Sequence, residues 1–327
     1  MIRVQAASRL HFGLFNPCSD EQQQDDRGSQ LERRFGGVGL MVAEPGLSVR
    51  VEPAAAWSAE GPLAERALAL AHRFVERLQQ PALPPQHIVM EEVSPEHAGL
   101  GTGTQLAMTV ARALAVLAGL ERLTAGDLGR AMGRGQRSGI GLHGFERGGF
   151  LVDGGKGLTN GIAPVIARLD FPEPWRVLLV CPISPQGLHG PAERKAFAQL
   201  QLGDSIRRTE LLCRLVLLGM LPALAERDFG PFGDALYEFN VRAGEPFEPF
   251  QCGVYRDPRV AETVDFLRRI GFHGVGQSSW GPTVFGVAAD EEHACFGRRR
   301  VQQFIGGKAA MLLITRGCNS GAIVETH

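Results

Sequence analysis

The segment from Pro95 to Arg112 constrains this chain more than any other. A strand-like run, Ile88 to Val93, leads into a loop rich in glycine and threonine, and an apolar helical pattern follows to about Ala118. Glycines let a backbone come close to a ligand, and the N–H groups of a first helical turn have no partner within the helix. This order of strand, small-residue loop and helix predicts an anion site, with a phosphate or diphosphate as its ligand.

The well-known phosphate loops do not match this segment. A Walker loop ends in Gly-Lys-Ser/Thr, and the segment contains no lysine. A dinucleotide-binding G-x-G-x-x-G pattern also fails, because its third glycine position holds Thr104 or Leu106. A protein-kinase glycine loop needs a strand lysine and an HRD segment, and the sequence has neither. The plain alternative is a glycine-threonine turn that caps an ordinary helix.

Three segments in the right order resemble the motifs of the GHMP kinase superfamily. The loop from Pro95 to Thr104 reads PEHAGLGTGT, and it is similar to the superfamily's phosphate loop, in which Pro-x-x-x-Gly-Leu-Gly-Ser-Ser is usual. Residues 8–14, SRLHFGL, resemble the first motif of the superfamily. Residues 274–283, GVGQSSWGPT, resemble its third motif, a glycine-rich strand turn.

One branch of the superfamily resembles more of the chain. Its characteristic segments are matched by residues 9–13 (RLHFG), 34–40 (RFGGVGL), 133–141 (GRGQRSGIG) and 148–155 (GGFLVDGG). This branch is the β-ribofuranosylaminobenzene 5'-phosphate synthase family. The resemblance implies condensation of phosphoribosyl diphosphate with 4-aminobenzoate or 4-hydroxybenzoate, with release of CO2 and diphosphate, in tetrahydromethanopterin biosynthesis. It also implies Mg2+ as the cofactor and a homodimer.

Gly141 distinguishes this chain from many kinases of the superfamily. Those kinases have Ser-Gly-Ile-Asp in the corresponding segment, and the Asp is the base for the acceptor hydroxyl. Here Gly141 follows Ser138-Gly139-Ile140, and a glycine cannot take a proton. An ATP-dependent small-molecule kinase stays open as an alternative if a carboxylate elsewhere serves as base. A non-catalytic binder of nucleotides or phosphosugars is the second alternative.

The candidate site residues come from these motifs. The predicted catalytic residues are Arg9, His11 and Arg137, and the predicted metal ligand is Asp153. The predicted phosphate-binding residues are Gly99, Gly101, Thr102, Gly103, Thr104, Gln105, Arg134, Ser138, Ser278 and Ser279. The alternatives are a core histidine at His11, solvated helix-end charges at Arg134 and Arg137, and a turn-forming aspartate at Asp153.

Composition and charge indicate an ordinary globular enzyme with small-molecule substrates. The chain has 327 residues, 44% hydrophobic and 21% charged, with a formal net charge of −1 that favours neither nucleic acid nor a membrane as a partner. Its six cysteines include no C-x-x-C pair. The sequence contains neither an apolar run of the ~20 residues that a membrane span needs nor a signal-peptide pattern. We therefore expect a cytoplasmic protein.

Mixed strand and helix patterns predict an α+β fold in two domains, 1–170 and 171–327. The resemblance implies an N-terminal GHMP domain with a left-handed crossover and a ferredoxin-like C-terminal domain. The predicted strands are Ile2–Ala7, Val38–Ala43, Leu47–Val51, Phe150–Asp153, Ile162–Leu169, Val177–Cys181, Gly281–Ala288 and Ala310–Thr315. Apart from the helix after the loop, the predicted helices are Leu63–Leu78, Ala125–Gly133, 191–201, 204–219, 231–242 and 257–269.

Overall fold

Two long antiparallel strands form the centre of the first sheet. The computed structural model describes residues 1–17, 33–77, 83–157, 161–183, 205–251 and 253–326. Strand β1 (Ile2–Asn16) pairs with β2 (Phe35–Pro53) from end to end. Burial alternates along the first half of β1, because successive side chains point to opposite faces of a sheet. The first half of β1 belongs to one buried hydrophobic cluster and its second half to another.

The first sheet has five further strands, two of which pair with different halves of β2. They are β3 (Ser58–Glu60), β4 (Gln86–Glu92), β5 (Phe150–Asp153), β6 (Val165–Leu169) and β11 (Ile323–Thr326). Within the described residues the order is β11-β1-β2-β4-β3, while β5 pairs with the other half of β2 and β6 with β5. All of these pairs are antiparallel except β3 with β4.

Three helices pack on this sheet, a fourth packs on two of them, and together they position the phosphate loop. They are α1 (Ala64–Arg77), α2 (Thr102–Leu117), α3 (Ala125–Ala131) and α4 (Ile140–Arg147). Helix α2 is apolar, and it is buried along most of its length between the sheet and its neighbours. Thr124 begins α3 with a capping box to Asp127. The loop before α2 is thus anchored to the most buried helix of this half.

A second sheet and a long helix complete the cavity described below. The sheet contains β7 (Arg176–Pro182), β8 (Val275–Gln277), β9 (Val284–Ala288) and β10 (Ala309–Thr315), in the order β10-β7-β9-β8. The helical segments are α5 (Ser205–Leu215), a π-helical turn (Val216–Met220), α6 (Leu221–Glu226), α7 (Phe229–Gly244), a 3-10 helix (Glu245–Phe250), α8 (Pro258–Arg269) and α9 (Glu291–Ile305). Helix α7 contacts both β1 and β8, so it joins the two halves of the chain.

The α+β class is confirmed, and most predicted elements are found within a few residues of their predicted bounds. The helix predicted at 204–219 changes to π-helical geometry at Val216. The strand predicted at Gly281–Ala288 begins only at Val284, because Gly281 lies in a turn against the phosphate loop. The helix predicted at 191–201 lies outside the described residues. The domain boundary near residue 170 stays a prediction, although β11 returns to pair with β1.

Candidate functional site

The phosphate loop owes its shape to left-handed backbone conformations. His97, Gly99 and Gly101 have φ angles of 57°, 88° and 73°, a region that side chains other than glycine rarely adopt. Gly101 is the N-cap of α2, and this helix has no side-chain cap. The first helical turn therefore presents its backbone N–H groups to the loop, as an anion site requires.

Backbone hydrogen bonds hold the three sequence motifs together. The Arg9 N–H donates to the Leu100 carbonyl at 2.9 Å, and the Ser279 N–H donates to the His11 carbonyl at 2.9 Å. Ser278 Oγ accepts from the His11 N–H at 3.0 Å and donates to the Gly99 carbonyl at 2.7 Å. Segments far apart in sequence thus meet at the phosphate loop.

Two adjoining cavities open at this point. The smaller, about 220 Å3, lies over the phosphate loop, and the larger, about 900 Å3, extends from it towards α7 and the 3-10 helix. The residues that line both cavities mark their junction. They are Arg9, Arg66, His97, Thr104, Arg134, Ser279 and Trp280.

We call Arg9, Arg66, Arg134 and Arg137 the cationic end of the larger cavity. The guanidinium groups approach the loop closely: a Cβ on Gly103 would lie 2.7 Å from Arg66 Nη2 and 3.9 Å from Arg134 Nη1. Burial and the nearby Arg66 and Arg73 charges lower the pKa of Arg134. Like charges are costly to hold together, so their convergence indicates a site for a polyanion.

His11 lies in the wall beside the cationic end. Its side chain is 6% exposed, and burial, with the charges of Arg9 and Arg137, lowers its pKa well below the usual value of 6.5. The imidazole packs on Gly37, where a Cβ would come within 3.0 Å of Nε2. His11 is therefore neutral at neutral pH, and it lines the larger cavity rather than only filling the core.

We call Phe247, Val254, Tyr255 and Trp280 the aromatic end of the larger cavity. Phe247 and Trp280 meet edge to face, with ring centroids 4.7 Å apart. Phe247, Val254 and Tyr255 line the larger cavity but not the smaller one, whereas Trp280 lines both, so this end extends from Trp280 away from the phosphate loop. A flat apolar ligand fits such a surface, since aromatic side chains provide large contact areas with a preferred ring geometry.

Most of the predicted phosphate-binding residues line one or both cavities. The loop residues from Gly99 to Thr104, together with Arg134, Ser138 and Ser279, belong to this group, as do the predicted catalytic residues. Gln105 and Ser278 do not line either cavity. Gln105 is fully buried and donates to the Gly141 carbonyl at 2.9 Å, which links α2 to α4. Ser278 is also buried, and it acts on the site through the loop backbone.

Asp153, the predicted metal ligand, is fully buried and does not line either cavity. Its carboxylate accepts hydrogen bonds from Ser138 Oγ at 2.7 Å and from the backbone N–H groups of Gly139 and Gly155 at 2.8 and 3.0 Å. Burial raises its pKa against the effect of these donors. The carboxylate thus orders the turn before α4, and its role as a metal ligand stays a prediction without support from the geometry.

The donor set does not fit a Mg2+ ion held mainly by protein groups. The described residues contain no group of three or more His, Cys, Asp or Glu side chains that could hold a metal. Among the described residues lining the two cavities, Glu96 is the single carboxylate, and it is paired with Arg66. Mg2+ often binds through substrate phosphates and water with only one or two carboxylates. Any Mg2+ here depends on the ligand for its coordination.

Gly141 lies where a side chain would point into the site. A Cβ there would be 3.2 Å from Thr104 Cγ2 and 3.7 Å from Arg9 Cδ. A carboxylate at this position would therefore lie beside the phosphate loop and within reach of Arg9. Because residue 141 is glycine, this position provides no base.

Several lining residues were not predicted from the sequence, because the motifs either leave their positions unspecified or do not extend to them. Arg66 looks like an ordinary polar residue of the amphipathic helix α1, and Glu96 and His97 were covered only as unspecified loop positions. Asn240 on α7 donates to the Phe12 and Gln277 carbonyls at 2.6 and 2.9 Å. Its signal was available, since it is a polar residue in an otherwise apolar helical face.

Comparison with known proteins identifies the fold and the family. The GHMP kinases N terminal domain pattern matches residues 65–145, and the GHMP kinases C terminal pattern matches residues 220–305. A homoserine kinase from Cytophaga hutchinsonii has a similar structure, at 13% identity and a TM-score of 0.67, over 99% of this chain and 97% of that one. The mevalonate diphosphate decarboxylase from Enterococcus faecalis is similar at 12% identity and a TM-score of 0.66, over 100% and 99%. These structures share the fold.

The sequence relatives are more specific. The β-ribofuranosylphenol 5'-phosphate synthase of Methanothermobacter thermautotrophicus is 30% identical, over 98% of this chain and 98% of its own length. The protein of the same name from Archaeoglobus fulgidus is 30% identical, over 99% of this chain and 100% of its length. The resemblance inferred from the motifs is confirmed, with a phenol in the relatives' name where the sequence analysis had an aminobenzene. The chain belongs to the β-ribofuranosylphenol 5'-phosphate synthase family, whose members are enzymes, and it has the GHMP kinase fold.

Proposed function

We propose that this enzyme condenses phosphoribosyl diphosphate with 4-hydroxybenzoate or 4-aminobenzoate and releases CO2 and diphosphate. One observation carries the proposal: a single cavity of about 900 Å3 has a cationic end at the phosphate loop and an aromatic end that extends from Trp280 away from the loop. A polyanionic sugar phosphate matches the first end and a benzoate ring matches the second. The family relationship agrees with this pair of substrates.

The phosphate loop and the arginines act on the departing diphosphate. As the bond between C1 of the ribose and the diphosphate oxygen breaks, negative charge builds on the leaving group. Backbone N–H groups at the start of α2, with Arg66 and Arg134 nearby, are donors fixed in place before the reaction. Such preorganised donors stabilise developing charge without having to reorient, which lowers the barrier.

The aromatic end acts on the acceptor. The ring carbon that bears the carboxylate attacks C1 of the ribose, and the electron pair of the bond to CO2 then returns to the ring and restores its aromaticity. Trp280 lines both cavities, so a ring beside it lies next to the phosphate loop ligand. Positioning of this kind replaces a bimolecular encounter by an intramolecular one. Neutral His11 is suited to accept the proton of the para hydroxyl or amino group as the ring carbon attacks, and it returns this proton when CO2 leaves, so the product keeps that group.

A phosphoryl-transfer reaction fits the site less well. The fold is shared with a homoserine kinase, but Gly141 leaves no carboxylate at the position that faces Thr104 and Arg9. Among the described residues lining the cavities, only Glu96 is acidic, and Arg66 already pairs with it. A carboxylate base for an acceptor hydroxyl is therefore missing among the described residues that line the cavities.

The proposal is tested with benzoates that carry a radiolabel in the carboxyl group. We expect labelled CO2 only when phosphoribosyl diphosphate is present, with 4-hydroxybenzoate and 4-aminobenzoate compared directly. The same preparation is offered ATP with small alcohols. ATP turnover without CO2 release would show that the protein is a kinase and not a synthase. If neither ATP nor the benzoate is turned over, a non-catalytic binding protein is favoured.

Four further expectations belong to this proposal. The reaction is a step of tetrahydromethanopterin biosynthesis, it depends on Mg2+ brought with the diphosphate substrate, the enzyme is a homodimer, and it acts in the cytoplasm. In the part of the chain that the structure describes, no helix is both long enough and apolar enough to cross a membrane.

A further inference from the structure

The ion pair between Arg66 and Glu96 lies at the edge of the phosphate loop. Arg66 belongs to α1, and Glu96 lies at the start of the loop. Arg66 Nη1 donates to Glu96 Oε1, and the other nitrogen, Nη2, lies close to Gly103 in the first turn of α2. The pair therefore joins a helix that no motif marks to the loop that binds phosphate.

The charged residues around this pair indicate that it faces a bound anion. Both residues line the smaller cavity, together with Arg9 and Arg134. A free carboxylate at Glu96 would repel a phosphate bound to the loop. Paired with Arg66, the carboxylate is neutralised, and it also holds the guanidinium in place above the loop. A guanidinium fixed in this way can donate to two oxygens of one phosphate at once.

We propose that Arg66 binds the diphosphate group of the substrate and that Glu96 positions Arg66 for this contact. The inference rests on the proposed function in taking a diphosphate as the ligand. It assigns Glu96 to Arg66 rather than to a metal ion. Glu96 is thus a positioning residue, and it promotes diphosphate binding only through its contact with Arg66.

This arrangement predicts an unusual result for a pair of variants. Arg66→Ala removes a donor and also leaves the Glu96 carboxylate unneutralised beside the ligand. Adding Glu96→Gln to Arg66→Ala then removes the repulsion. The double variant should bind diphosphate more tightly than Arg66→Ala alone, whereas a metal-binding Glu96 would make it bind more weakly.

Isothermal titration with inorganic diphosphate, in buffer with Mg2+, measures these affinities without turnover. We expect Arg66→Ala to bind at least about tenfold more weakly than the wild type and Arg66→Lys to recover part of the loss. Glu96→Gln should stay within about threefold, because its amide oxygen can still accept from Arg66, whereas Glu96→Ala should bind about tenfold more weakly because it leaves the guanidinium without its positioning contact. Wild-type affinity in Glu96→Ala would show that Glu96 does not position Arg66. The double variant should bind about fivefold more tightly than Arg66→Ala. Arg77→Ala, in the last turn of the same helix and exposed, is the matched control and should bind as the wild type does.

Thermal unfolding of each variant checks that the fold is retained. A loss below tenfold for Arg66→Ala, or a double variant that binds no more tightly than Arg66→Ala, would overturn the proposal. Because this titration needs no acceptor, Arg66-dependent diphosphate binding in a protein that releases no CO2 would refute the proposed function and leave this inference standing.

Discussion

The two ends of the large cavity differ in origin as well as in chemistry. The cationic end is built around the phosphate loop and the first sheet, on a fold shared with a homoserine kinase and a diphosphate decarboxylase. The aromatic end comes from the 3-10 helix, the segment before α8 and the turn after β8. An anion site of this kind serves many reactions, so under the proposed function we expect the aromatic end to select among acceptors.

The largest effect should come from Gly101→Val at the cationic end. Gly101 has φ 73°, and a Cβ there would lie 3.1 Å from Arg9 Nε, so a branched side chain strains the backbone and displaces the arginine. We expect kcat/KM to fall by about a thousandfold, since several phosphate donors move together. Steady-state kinetics at matched folding measures it.

Gly119→Val is the control for backbone strain. Gly119 also has a left-handed φ, 69°, but a Cβ there would have nothing within 4 Å. The Gly119→Val variant should lose some stability and keep the kcat/KM of the wild type. Equal activity in Gly101→Val and Gly119→Val would mean that the loop does not hold the substrate.

The next effect should come from Arg134 and Arg137. If each binds phosphate or carboxylate, replacement by alanine costs roughly 2–4 kcal/mol of transition-state binding, and lysine restores only part of it. Arg130→Ala is the control, because Arg130 is exposed and pairs with Asp127 on the outer side of α3. Comparable kcat/KM values for the alanine variants, the lysine variants and the wild type would mean that both arginines are solvated surface charges without a role in binding.

At the aromatic end, Phe247→Leu should affect one substrate and spare the other, because Phe247 lines the larger cavity but not the smaller one. We expect KM for the benzoate to rise about 10- to 50-fold, from lost ring contact, while KM for phosphoribosyl diphosphate changes little. Phe304→Leu, a change at an exposed aromatic residue of α9, is the control. If the KM for phosphoribosyl diphosphate rises as much as that for the benzoate, the division into two ends is wrong.

The smallest effect concerns stability and His11. The folded state holds His11 neutral with a lowered pKa, so below about pH 6.5 the unfolded state takes up a proton that the folded state does not. Stability therefore falls as the pH falls, by at most about 1.4 kcal/mol per pH unit from this residue. Denaturant titrations between about pH 7 and pH 5.5 should show this slope in the wild type and its loss in His11→Gln. Parallel slopes would contradict the neutral, buried imidazole.

Sequence located the cationic end because its chemistry is local. A phosphate loop is set by glycines at fixed spacings and by the start of one helix, so Gly99, Gly101 and Thr104 could be named in advance. The amphipathic helices followed from periodicity for the same reason. The strand predictions fell short, since β1 extends to Asn16 and β2 joins the two strands predicted at Val38–Ala43 and Leu47–Val51. Asp153 shows the limit, since a strand-end aspartate looks alike whether it faces a metal or caps a turn.

The aromatic end could not be named in advance because it is assembled from distant segments. Phe247 and Tyr255 are apolar residues in a stretch without periodicity, and only the packing of α7 against β1 brings them to the cavity. Arg66 has the same difficulty, because its helix was predicted but the direction in which its guanidinium points was not. Tertiary contacts determine whether such residues line the cavity, and the local sequence does not reveal those contacts.

The hydroxyl of Ser278 has a consequence for the way this protein folds. It connects His11, 267 residues away in sequence, with Gly99, 179 residues away. Closing such long segments of chain costs entropy that only the completed structure repays, and contacts of this kind form late. During synthesis the phosphate loop is made early, yet it stays without one of its supports until residue 278 has left the ribosome. A chain that ends before residue 278 therefore lacks this support of its phosphate loop.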